Sequence, residues 1–146
     1  MRRDPFEMLE RCHRRLEETL DRLRTPTRQA LDEALAFIDR ALKRHEDDEE
    51  QSLFPRLMRV PQLAGLLDRL TVQHRDQAAL VEELRAALAA ATPNEAALRD
   101  VVARLDASYR EHITVEEREL FPAAKAALDA DDLGGMAAEM ESRRGR

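Results

Sequence analysis

At 146 residues the chain has room for one domain with one core and too little for two. Apolar residues make up 43% and charged residues 37%, with only 4 glycines and 6 prolines, the balance of a helical globular protein with a solvated exterior. A net charge of -6, one tyrosine and no tryptophan exclude a nucleic-acid binder, and no stretch approaches the length needed to cross a bilayer. The opening MRRDPFEML has two arginines but no apolar run behind them, so the expectation is a soluble, cytoplasmic protein. Cys12 is the only cysteine, which rules out an internal disulfide or a thiolate cluster and reads as a small buried side chain.

Four helices are predicted in chain order. Asp4-Pro5, Thr25-Pro26 and Thr92-Pro93 each place a capping side chain before a proline, whose missing N–H costs nothing at the first helical position. Val60-Pro61 marks a further break after Pro55 disturbs the preceding segment. The helices then run near 5–24, 26–54, 62–91 and 93–127. The first carries a stripe of Phe6, Leu9, Leu16, Leu20 and Leu23; the second has Leu31, Leu35, Ile38, Leu42 and Leu53. The third uses Leu63, Leu67, Leu70, Val81, Leu84 and Leu88, and the fourth Leu98, Val102, Leu105 and Leu120. Steps of three and four residues are the seam of a bundled helix, and no segment alternates with period two. The fold expected is all-α, an antiparallel up-down-up-down four-helix bundle over residues 1–130. Beyond Gly134-Gly135, residues 131–146 read as a flexible tail.

Each stripe is interrupted by a histidine: His13 between Leu9 and Leu16, His45 after Leu42, His74 after Leu70, and His112 after Leu105 and Tyr109. These are the chain's 4 histidines, one per helix, all on core-facing seams. The phrase HEDDEEQSLFP at residues 45–55 is written again as HITVEERELFP at 112–122, so His45 and His112 each carry a glutamate at i+4, Glu49 and Glu116. Imidazole and carboxylate one turn apart project into the same space. Burying the two carboxylates unpaired would cost several kcal/mol each, and no lysine or arginine stands at matching seam positions. A metal cation is the evident remedy.

Two ligands on an antiparallel pair lie level when the turn falls halfway between them. The midpoints of His45/His74 and His74/His112 fall at the Val60-Pro61 and Thr92-Pro93 breaks, but that of His13/His45 is Gln29, three or four residues past Thr25-Pro26. Either the first loop runs on through Thr27 and Arg28, or His13 is less central than the others. Four imidazoles and two carboxylates without thiolate suit iron, manganese or zinc. A repeated His-plus-Glu unit points to two metals, and two roughly octahedral ions with bridging carboxylates and a bridging oxide or hydroxide would keep about two open positions.

With DPFEMLERCHRRLE, HEDDEEQSLFP, VQHRDQ and HITVEERELFP in place, the sequence resembles the hemerythrin-like or HHE cation-binding domains. The resemblance implies a four-helix bundle with two non-heme iron ions joined by an oxo or hydroxo bridge. His13, His45, His74 and His112 would then be terminal ligands, with Glu49 and Glu116 bridging. Ala78 stands where oxygen carriers of this kind have a further histidine, so reversible oxygen carriage is not the default. Glu46 is a candidate additional ligand, with solvated charge as its plainer reading. Tyr109 is a candidate ligand or hydrogen-bond partner behind a ligand, or a core aromatic. Asp47, Asp48, Glu50 and Glu117 read as solvent-facing, and the two LFP triplets as caps on the apolar end that need not touch the ligands.

The function expected is binding of, or reaction with, O2, NO or peroxide in sensing, redox response or detoxification. The alternatives are an enzyme reducing peroxide or nitric oxide, with weak peroxidase or oxidase turnover, and iron storage or donation to iron–sulfur cluster repair. The partner expected is a small diatomic or peroxide, and the protein a monomer or weak homo-oligomer.

Overall fold

The computed structural model describes residues 3–145. Met1 and Arg2, which open the N-terminal reading, and Arg146 at the end of the tail lie outside the described residues. Within them all regular structure is helical, and no helix is long and apolar enough to cross a membrane. Helix α1 is Pro5–Arg22, α2 spans residues 28–57, α3 is Ala64–Ala89, α4 spans residues 95–127 and α5 is Ala130–Arg143.

Asp4 caps α1 by accepting from the Phe6 amide at 2.9 Å, with Pro5 behind it as predicted. The next two prolines behave differently. Thr27 accepts from the Ala30 amide and Asn94 from the Ala97 amide, both at 3.1 Å, so α2 and α4 start about two residues later than predicted. Pro26 and Pro93 sit in the connections, where they hold the preceding residue out of the helical region. The longer first loop brings the start of α2 to Arg28, beside the His13/His45 midpoint, and His13 joins the other histidines.

Helix α2 is continuous through Pro55, and α4 through Pro122, because each absorbs its proline in a π turn. These turns, Glu49–Leu53 and Glu116–Leu120, start at the two glutamates and end just before Phe-Pro. The Phe54 amide reaches back to the Glu49 carbonyl, and that of Phe121 to Glu116, five residues each. Proline has no N–H for the ordinary ladder, so widening the turn by one residue lets the helix run on without a clash. A third π turn, Ile38–Leu42, precedes His45.

Two apolar clusters stack along the molecule. One holds Phe6, Leu9, Leu53, Phe54, Leu70, Leu120 and Phe121; the other holds Leu16, Leu20, Leu31, Leu42, Val81, Leu105 and Tyr109. The histidines and glutamates lie in sequence between the members of each, so the gaps in the four stripes form one polar layer between two dry ones. A fully buried leucine or phenylalanine contributes about 1.5–3 kcal/mol, so both clusters hold the layer rigidly.

Most of the described part of the segment read as a tail is helical. Asp129 and Asp132 form a reciprocal capping box, and α5 buries Met136, Ala137 and Met140, the two methionines completely. The Gly134-Gly135 pair that read as a break is helical. A Cβ on Gly135 would meet the Arg56 guanidinium at 2.5 Å, so the glycine makes room for Arg56 to reach Glu139 at 2.8 Å. Glycine inside a helix costs about 1 kcal/mol, which the buried methionines outweigh.

Candidate metal centre

All four histidines and both i+4 glutamates meet in the polar layer, at 0–5% exposure. Their donor atoms fall into two groups of four: His13, His45, Glu49 and Glu116, and Glu49, His74, His112 and Glu116, each with its ligand atoms within 4.8 Å of one another. Both glutamates belong to both groups. Glu49 turns Oε2 to His45 Nε2 at 3.3 Å and Oε1 to His74 Nε2 at 3.1 Å. Glu116 turns Oε1 to His13 Nε2 at 2.9 Å and Oε2 to His112 Nε2 at 3.2 Å. Each carboxylate therefore divides its two oxygens between two pockets, and every histidine directs Nε2 inward.

Several of these buried atoms have no hydrogen-bond partner: Nε2 of His45, both oxygens of Glu49 and Oε2 of Glu116. Orphaned polar atoms at this depth cost about 1–3 kcal/mol each, more when charged, and a native core keeps them only where something else satisfies them. A cation in each group would do so, and imidazole nitrogen with carboxylate oxygen is a donor set that divalent transition metals favour.

The electrostatics agree. Burial alone would lower the histidine pKa values, but neighbouring groups overrule it: Glu116 and Glu49 raise His112 to about 10, the nearby glutamates raise His13 and His74, and Cys12 and Glu49 raise His45. Burial would raise Glu49 and Glu116, yet the imidazoles hold both below the usual carboxylate range. Protons on these raised imidazoles and a bound cation would compete for the same donor atoms. A raised histidine stabilises the fold fully below its unfolded value near 6.5 and loses that contribution as pH rises through its folded value. Metal must displace those protons, so its affinity rises with pH while the metal-free protein loses stability. Melting curves with and without metal at about pH 6 and pH 9 should show the metal-dependent increment growing toward the alkaline end, with protons released on binding; an increment independent of pH would contradict this ligand set.

Behind the ligands stands a ring of partners that the sequence reading assigned to solvent or passed over. Glu117 accepts from His13 Nδ1 at 2.7 Å and is itself held by Arg14. Gln73 accepts from His112 Nδ1 at 2.7 Å, and Glu50 stands 3.7 Å from His74 Nδ1. Such acceptors fix the tautomer and orientation of a ligating imidazole. Asp48, also read as solvent-facing, is fully buried and paired with Arg143 and Arg144. The LFP phenylalanines do touch the ligands: Phe121 stacks on His13 at 5.6 Å and Phe54 on His74 at 6.2 Å. The repetition of the phrase was a signal for these contacts, because equivalent positions in the two copies do equivalent things.

Compared with known proteins, residues 4–124 match the family described as the hemerythrin HHE cation binding domain. The chain belongs to this family. An uncharacterized protein of Haemophilus influenzae is 29% identical to it, over 97% of this chain and 90% of its own length. Hemerythrin HHE domains bind metal cations, and the residues matched include every member of the two donor groups.

Two candidates from the sequence stand outside the donor groups of this HHE domain. Glu46 is half-buried, its carboxyl raised by burial, and Tyr109 is buried with its phenol raised by burial and by Glu46. Both line one cavity of about 440 Å³, together with Ala78 and Val81, whose rim carries Asp39, Lys43, Glu82 and Arg85.

Proposed function

We propose that the protein holds two iron ions, one per donor group, bridged by Glu49 and Glu116 and terminated by His13 and His45 on one side and His74 and His112 on the other. The division of each glutamate's two oxygens between the groups carries this reading. Iron bound there would supply open coordination positions and one-electron exchange, the chemistry that O2, NO and peroxide require. The chain's own contribution is to hold six donors in place between two apolar layers, exclude bulk water and keep the outward imidazole protons on fixed acceptors. We read α1 to α4 as an up-down-up-down bundle around this layer, with α5 laid against it, and the role as sensing, redox response or detoxification in the cytoplasm.

The cavity of Glu46, Tyr109, Ala78 and Val81 is the access route in this reading. It has the size for a small molecule, and its inner groups feel the charges of His74 and Glu49. Ala78→Phe should leave metal content unchanged and slow the reaction with peroxide severalfold; an unaltered rate would place the route elsewhere. The function itself is tested by elemental analysis of freshly purified protein, with optical spectra of the reduced form before and after air or peroxide. About two irons per chain with responsive charge-transfer bands support it. No iron after anaerobic reconstitution, or a single zinc, overturns it.

A further inference from the structure

Two of the three π turns absorb a proline, but Ile38–Leu42 has none in it or just after it. Such turns gather at functional sites, and this one supplies Arg40 and Ala41 to a groove of about 390 Å³ between α1 and α2. Four arginines line the groove, Arg15 and Arg22 from α1 and Arg40 and Arg44 from α2. The Arg15 guanidinium lies over the Phe37 ring at 5.0 Å, and Arg22 donates to the Thr19 hydroxyl at 3.4 Å. Among the described residues none of the four has a carboxylate within ion-pairing distance, Glu18 and Glu33 of the same groove included. Acids close by in sequence are already engaged: Asp39 with Arg85, Asp47 with Lys43 and Glu17 with Arg14.

Arginine keeps its charge at any pH the protein meets, so four guanidiniums against two carboxylates leave a local excess of positive charge on a chain whose net charge is -6. Charges farther off than about 8 Å are screened at physiological ionic strength, so a ligand entering the groove meets this excess and not the net charge. We propose that the groove is a binding site for a small phosphate-bearing anion with two or more negative charges. A guanidinium presents paired N–H donors in one plane that match the oxygens of phosphate, and donors from two helices can hold one phosphate from both sides. Ala36, Phe37 and Ala41 give the same groove an apolar wall for an organic part of the ligand. The site is separate from the metal layer and does not depend on what that layer binds. Arg15 is two residues after His13 and Arg44 directly precedes His45, so a bound anion would clamp the two helices that supply this pair of histidines.

The test is isothermal titration calorimetry of the full-length protein with inorganic pyrophosphate as the probe, and with sulfate at matched ionic strength. Wild type should bind one pyrophosphate per chain, about tenfold or more tighter than sulfate. A lost charge-assisted hydrogen bond is worth about tenfold in affinity or more, so Arg15→Ala/Arg40→Ala should bind about 100-fold more weakly. Arg22→Ala/Arg44→Ala, which leaves the contact between Arg15 and Phe37 in place, should weaken binding as much. Arg99→Ala, which removes an exposed arginine of α4 outside this groove, should bind as wild type does. All the side chains replaced are exposed, so the melting temperatures should agree and weaker binding is not unfolding. No saturable binding by wild type would overturn the proposal. So would equal affinity for sulfate and pyrophosphate, or the same weakening in Arg99→Ala, since either reduces the effect to general charge.

Discussion

Glu116→Ala should empty both metal positions, whereas His13→Ala should empty one. Glu116 places Oε1 in the His13/His45 group and Oε2 in the His74/His112 group, so its loss takes a ligand from each. His13 belongs to the first group alone. Each bound ion stabilises only the folded state, by about 2.7 kcal/mol when free metal is one hundred times its Kd and about 4.1 kcal/mol at one thousand times. With iron present, Glu116→Ala should therefore melt well below wild type, with metal content falling from two ions per chain toward none. His13→Ala should lie between. If Glu116→Ala kept one ion while His13→Ala lost both, the carboxylate would be a terminal ligand and the bridged arrangement would be wrong.

The second large effect concerns the contact between α5 and α2. Asp48 is completely buried, and its two oxygens receive Arg143 Nη1 at 3.0 Å and Arg144 Nη2 at 2.8 Å. Arg143 also donates to Ser52 at 2.7 Å, and Ser52 donates to Glu139 at 2.6 Å. The arginine side chains are 19% and 18% exposed and can swing to water, but the carboxylate cannot. Removing the cations should therefore hurt more than removing the anion. Arg143→Ala/Arg144→Ala should lose about 3–5 kcal/mol in urea unfolding, the usual cost of stranding a buried charge. Asp48→Asn in the wild-type background should cost less, and added to the double variant it should restore part of the loss. A double variant within about 1 kcal/mol of wild type would make these pairs ordinary surface salt bridges. Because Asp48 directly precedes Glu49, weaker iron binding should accompany the loss of stability.

The six donor residues were legible in the sequence because they obey a local rule. A histidine in place of a leucine at a three-or-four-residue step, followed by glutamate at i+4, faces wherever the leucines face, and that needs only the helical period. Helix α5 was nearly as legible, with Leu133, Met136, Ala137 and Met140 at the same steps. Gly134-Gly135 hid it, because the reason for Gly135, the crossing Arg56 side chain, comes from another helix.

The helical class, the one-per-helix histidines and the doubled His-x-x-x-Glu phrase are determined by the chain alone, since each is a matter of spacing along one helix. The way each glutamate divides its oxygens, the partners Glu117 and Gln73 and the burial of Asp48 were decided only in three dimensions. A π turn adds one residue and rotates all that follows by about 100°, so which neighbour of a seam residue meets the next helix depends on turns and packing that no single helix records.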